Sequence, residues 1–192
     1  MRFMFDDLLF EKLACPKCGS ADLGLEILEG SKLDVRKGEV SCRSCSSRYP
    51  IEDGIAVLLP DFLESDLKAR TRGWKTWSAK MRNFMEWRKK TWDGSAKADE
   101  YQERVDSLNR SFFEFCRLPE EPSSILDVGC GGGTFGRYAA TQYFYAGVDP
   151  LPVPGETEKF RIVQGVAERL PFKQSVFDYV VIMAALDHVT GT

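Results

Sequence analysis

Apolar residues recur with two different periods along the chain, and the changes of period divide it into three. Up to residue 62 the apolar positions fall in short extended runs, around Leu23 to Leu28 and Leu33 to Val40, as strands do. From residue 63 to 118 the spacing turns helical. Trp74, Trp77, Met81, Phe84, Met85 and Trp92 mark one face, with Lys75, Arg82 and Lys89 every seven residues on another. Asp93-Gly94 ends that pattern, and a second stripe, Tyr101, Val105, Leu108, Phe112 and Phe115, runs until Pro119 stops it. From 119 to 192 four apolar strands alternate with polar stretches: Ser124 to Val128, Phe144 to Asp149, one beginning at Ile162, and Tyr179 to Met183. The predicted fold class is α/β: a small β-rich domain over 1–62, a helical connector over 63–118, and a doubly wound parallel sheet of about four strands over 119–192.

Charge sharpens the middle boundary. Lys68 to Lys90 holds nine basic residues and one acid, Glu86, so it carries +8 while the whole chain is at -3. A protein that coats nucleic acid over its whole surface is excluded, and a basic partner surface must be local. The connector's aromatics read either as core contacts laid over the C-terminal domain, its cations being a solvated face, or as a wall of a site for a phosphorylated, anionic or nucleic-acid substrate. The longest apolar run, Tyr179 to Leu186, falls far short of the roughly 20 residues that span a bilayer. Asp6, Asp7 and Glu11 interrupt the place of a signal-peptide core, so a cytoplasmic location is expected.

Four of the six cysteines form two pairs, Cys15-Pro-Lys-Cys18 and Cys42-Arg-Ser-Cys45, with both strand-like runs between them. Two turns that each offer two thiolates can close a tetrahedral zinc site with no open position, hence a structural one. A segment of this size has little core of its own, and metal coordination can contribute on the order of 10 kcal/mol to its folding. Redox use of a C-x-x-C would need one pair followed by a helix, and neither pair is.

The wording around these cysteines, Leu13-Ala-Cys15-Pro-Lys-Cys18 and later Tyr49-Pro-Ile-Glu-Asp-Gly54-Ile-Ala-Val-Leu-Leu59-Pro, resembles the zinc-ribbon family that includes the activating subunit of tRNA and protein methyltransferases. The resemblance covers about sixty residues. It implies a partner-binding or allosteric module without catalytic residues.

In the third segment the strand Ile125-Leu-Asp127-Val runs straight into Gly129-Cys-Gly131-Gly132-Gly133 and then a helical stretch, which brings bare backbone against a ligand. A second strand ends in Asp149, an acid suited to ribose hydroxyls. A dinucleotide would bring its own negative pyrophosphate to the loop, so the carboxylate of Asp127 just before it suits a cationic ligand instead. Cys130 reads as a small packing residue.

At these residues the sequence is similar to the class I S-adenosylmethionine-dependent methyltransferases, in the branch with D-V-G-C-G-x-G in the loop. Val166-Ala-Glu168-Arg-Leu-Pro171-Phe172 and Ser175-Val-Phe177-Asp178-Tyr-Val-Val agree with that branch. The resemblance implies that Asp127, Gly129 and Gly131 pack against the methionine part of S-adenosylmethionine. It implies likewise that Asp149 holds the ribose and that Val166, Ala167 and Glu168 edge the adenine. Many members have Asp where Val166 stands, so a side-chain bond to the adenine amine is lost here. His188, the single histidine, stands in Ala-Leu-Asp187-His188-Val, a family wording at the substrate end of the sheet, and is a candidate for substrate contact or catalysis alongside a structural role.

The family's sheet has seven strands, and 119–192 holds four. The later strands are expected to be absent, leaving the fourth strand as an edge open to self-association or to a partner chain. The expected activity is methyl transfer to a small-molecule or lipid-linked acceptor. Similarity to large-subunit rRNA guanine methyltransferases with an N-terminal zinc ribbon keeps RNA open, and a non-catalytic zinc-containing interaction module is the reading from another class.

Overall fold

The computed structural model describes residues 4–60, 96–150, 152, 160–186 and 189. The Trp-rich basic stretch of the connector, Trp74 to Trp92, lies outside the described residues, as do Asp187 and His188. Two compact units divide the chain: one holds residues from 4–60 together with residues from 118 onward, and the other includes 96–117.

The second unit contributes helix α2, Ala96–Cys116. It ends at Cys116, three residues before Pro119, and the next residue, Arg117, breaks the helical path with a φ of 46°. Of its predicted stripe, Leu108 and Phe115 are exposed, so those two positions form no core.

The first unit opens with helix α1, Asp7–Phe10, capped by Asp6, whose Oδ1 accepts from Leu9 N at 3.0 Å. A four-stranded antiparallel sheet follows in the order β1-β2-β3-β4, with β1 Leu23–Ser31, β2 Asp34–Cys42, β3 Arg48–Glu52 and β4 Ile55–Ala56. Alternation decides its faces. Tyr49 and Ile51 on β3, and Gly38, Val40 and Cys42 on β2, point inward while their neighbours are more exposed. The register of β1 on β2 slips around Glu29, a bulge that twists the outer half of the hairpin.

The parallel sheet comprises β5 Ser124–Val128, β6 Phe144–Asp149, β7 Arg161–Gln164 and β8 Tyr179–Val181, in the order β7-β6-β5-β8. All five residues of β5 are buried, as expected of a strand covered on both faces. One face meets helix α3, Gly136–Ala139, and its neighbours: Tyr145 stacks edge-on against Phe160 at 5.6 Å. The other face meets the antiparallel domain. Leu126, Val128, Ala146, Val148 and Val163 share one apolar cluster with Phe5, Leu9, Leu13, Val35, Val40, Tyr49, Ile51 and Leu58. The layer that a helix fills in many doubly wound folds is filled here by the chain's own N-terminal sixty residues.

Backbone pairing joins the two sheets as well. Val57 bridges Gln164 in parallel, and Leu58 N donates to Gln164 O at 2.8 Å, so the chain after β4 covers the β7 edge. Leu13 bridges Phe172 antiparallel, flanked by Ala14 N to Pro171 O at 3.0 Å and Lys173 N to Lys12 O at 2.9 Å. Arg161 at the start of β7 forks onto Asp6, with Nε 3.0 Å from both carboxylate oxygens and Nη2 2.7 Å from Oδ2. Lys12 Nζ donates to Val176 O at 2.7 Å and lies over the rings of Phe144 and Phe177.

At the far side of the sheet β8 is shorter than the predicted Tyr179 to Met183, and Val180 is 57% exposed where burial on both faces was expected. The reason is its position: among the described residues β8 pairs only with β5. No described helix is long and apolar enough to cross a membrane.

Candidate metal centre and glycine-loop site

Cys15 and Cys18 sit on the turn after α1, Cys42 ends β2 and Cys45 lies on the turn that leads to β3. The β1-β2 register, which sets Leu23 opposite Cys42, carries one turn to the other. The four Sγ atoms lie within 4.8 Å of one another, with Cys15 to Cys45 and Cys18 to Cys42 both at 3.6 Å. A tetrahedral zinc with Zn–S near 2.3 Å needs Sγ atoms about 3.8 Å apart, so the four thiols fit that ion with little adjustment. Two neighbours support them. The Tyr49 hydroxyl is 3.2 Å from Cys15 Sγ, and Ser47 Oγ is 3.3 Å from Cys45 Sγ. Ser47, through side chain and backbone, holds the Cys45 thiol down to about 6, which favours the thiolate that binds metal. All four predicted ligands converge, and the cluster is a zinc-binding arrangement. Sequence reasoning had not singled out Tyr49 as a neighbour of the metal.

The second site forms at the carboxyl ends of β5, β6 and β7. The parallel register sets Asp127 opposite Gly147 and Asp149 opposite Gln164, which places both acids on the α3 face of the sheet. The loop after β5 is anchored by Gly129 N to Val148 O at 2.8 Å, and Gly131 N donates to Asp149 Oδ2 at 2.9 Å. Gly165 N donates to Asp149 O at 3.1 Å, so the loop after β7 meets the same point.

The glycines divide by role. Gly131, at a φ of 56°, would carry a Cβ into open space, so its side toward solvent is free for a ligand. A Cβ on Gly136 would come within 2.7 Å of the Tyr145 ring, and one on Gly133 within 2.8 Å of Phe160. Those two serve packing of α3 on the sheet.

Asp127 is 3% exposed, and Oδ2 accepts from the Tyr145 hydroxyl at 2.8 Å. Burial pushes its carboxyl up to about 7; the Tyr145 hydrogen bond pulls the other way, and the charge of Asp149 adds to the rise. Burial likewise raises the Cys130 thiol well above its ordinary range, which suits packing rather than nucleophilic use. Tyr145 was missed by the sequence reading. Its one signal was a phenol within an apolar strand, since a buried tyrosine hydroxyl needs a partner.

The remaining predicted contacts are less uniform. Val166 is buried, Ala167 packs partly against the shared core, and Glu168 is exposed at a tight turn closed by Arg169 N to Val166 O at 3.3 Å. Glu168 also borders a groove of about 430 Å³ lined by Cys15, Leu126, Phe172 and Val180. That groove touches the ribbon face of the sheet through Leu126, opposite to the face of Asp127 and Asp149, so it is separate from the glycine-loop site.

Comparison with known proteins matches the two parts of the chain to different families. Residues 101–190 match the family described as a methyltransferase domain, and residues 6–54 match the Trm112p-like protein family. An 18S rRNA (guanine-N(7))-methyltransferase of Bos taurus is 26% identical over 90 residues, which cover 43% of this chain and 32% of that protein. The chain thus spans about a third of the length of the curated relative it matches.

Proposed function

We propose that this chain, whose residues 6–54 match the Trm112p-like family and whose residues 101–190 match a methyltransferase domain, binds the methyl donor S-adenosylmethionine at the glycine loop and transfers the methyl group to a small-molecule or lipid-linked acceptor. The observation that carries this reading is the pair of acids on one face beside an open loop: Asp127 two residues before Gly129, and Asp149 bonded to Gly131 N at 2.9 Å.

When bound, the donor supplies a methyl carbon made electrophilic by its sulfonium. The residues of this chain hold and shield it. Asp149 accepts from the ribose hydroxyls, Gly131 with its open side admits the methionine part beside Gly129, which packs against Ala185, and Asp127 presents negative charge to a cationic ligand. Val166, Ala167 and Glu168 edge the adenine. The acceptor's lone pair forms the new bond to carbon while the S–CH3 electrons return to sulfur, and the acceptor's proton leaves to water or to a base. His188 is a candidate for that base or for an acceptor contact.

The zinc ribbon has a supporting role within the same chain. It covers a face of the sheet and pairs with Gln164 and Pro171, on either side of the turn that holds Val166 to Glu168.

RNA as acceptor is the second reading, favoured by the similarity to an rRNA methyltransferase. Against it stands the chain's net charge of -3. Calorimetry with S-adenosylmethionine and S-adenosylhomocysteine tests the donor site. Labelled methyl transfer to metabolite, lipid and RNA fractions of a cell extract then separates the acceptors. Absence of binding at millimolar donor would sink the enzyme reading and leave the non-catalytic interaction module; label confined to RNA would replace the first acceptor class by the second.

A further inference from the structure

Tyr145 occupies an unusual place for a phenol. Its ring lies on the central strand β6, packed edge-on against Phe160, and Gly136 leaves room for it by having no side chain. Its hydroxyl reaches a single acid, Asp127, at 2.8 Å with both groups buried. A ring fixed on two sides holds its hydroxyl at one point, so the hydrogen bond sets the rotamer of the carboxyl it meets. Resting on the methyl-donor reading above, we propose that Tyr145 is a positioning residue for the donor: its hydroxyl holds Asp127 oriented and charged beside the glycine loop, ready for a cationic ligand.

The surroundings make this role necessary. Among the described residues the groups acting on Asp127 are Tyr145 and Asp149 of β6, with Cys130 of the loop close by, and none of these three brings a positive charge. Burial and Asp149 favour the protonated acid, and the phenol hydrogen bond is the influence that opposes them. Without it Asp127 would keep its proton to higher pH and present a neutral carboxyl to the donor.

The test is calorimetry of S-adenosylmethionine binding to the full chain between pH 5.5 and 8, for the wild type, Tyr145→Phe and Asp127→Asn. Wild-type affinity should rise with pH through about 7. Tyr145→Phe should bind about tenfold more weakly at pH 7, with its midpoint displaced upward and the gap narrowing by pH 8. Asp127→Asn should bind weakly without that pH dependence. Carbon-13 NMR of aspartate carboxyls in the wild type supplies a measurement that needs no variant: the Asp127 signal should titrate near neutrality and shift when donor is added. Equal affinity and equal midpoint for wild type and a folded Tyr145→Phe would overturn the proposal while leaving the donor site intact, as would an Asp127 signal indifferent to donor. Failure of the wild type to bind donor would instead remove the methyl-donor reading and this role with it.

Discussion

The cysteine cluster and the glycine loop are opposite solutions to building a site. At the cluster the ligands come from two turns of one small domain, the donors are soft and four in number, and their mutual distances already match the ion. At the loop the polar groups come from the ends of separate strands, and burial disfavours the charge of Asp127. The first site completes a fold, and the second leaves open space beside one at Gly131. Metal should therefore dominate stability, and the acids should dominate binding.

The largest effect is expected at the metal. Cys42→Ser removes a ligand from a site that contributes on the order of 10 kcal/mol. Because the ribbon and the parallel sheet share one core, heat should unfold both together rather than the ribbon alone. Metal analysis and thermal unfolding followed by near-ultraviolet and far-ultraviolet circular dichroism check this, and two separate transitions would contradict the shared core.

Asp6→Ala comes next, at about 2 to 4 kcal/mol, since it strands a mostly buried Arg161 and uncaps α1 at once. Urea midpoints measure it, and a cost below 1 kcal/mol would mean that the fork is dispensable. Asp149→Ala should cost roughly 1.5 to 3 kcal/mol in donor binding through loss of charge-assisted hydrogen bonds, with the urea midpoint almost unmoved. Calorimetry beside unfolding separates the two quantities.

The last effect is the most diagnostic. The Asp127 carboxyl is raised in the folded chain from 3.8 to about 7, so the native state holds a proton that the unfolded chain releases at lower pH. Stability from this group is present in acid and fades as pH climbs toward and through 7. Asp127→Asn should abolish that decline and match or exceed the wild type in stability at pH 8, while binding donor poorly. Urea midpoints at pH 5 and pH 8 decide it.

Much of this was legible from local pattern. Both Cys-x-x-Cys turns, the β1-β2 runs and the four parallel strands follow from spacing and alternation, because such signals lie within a few residues of one another. What escaped was long-range. The pairing of Leu13 with Phe172, of Val57 with Gln164 and of Asp6 with Arg161 links segments more than a hundred residues apart, and no period records it. The glycine run hid its division for the same reason: only the fold shows Gly133 packed against Phe160 and Gly136 against Tyr145.

The shared core also sets an order of events during synthesis. Phe5, Leu9, Leu13, Ile51 and Leu58 emerge from the ribosome more than a hundred residues before Val163 and Phe172, which close the same cluster. At ordinary elongation rates that interval is on the order of ten seconds, during which the ribbon's apolar face has no cover. Zinc captured by the first four cysteines is what can hold the nascent ribbon in shape meanwhile, so metal supply while the chain is being made, more than afterwards, should govern how much of it reaches the folded state.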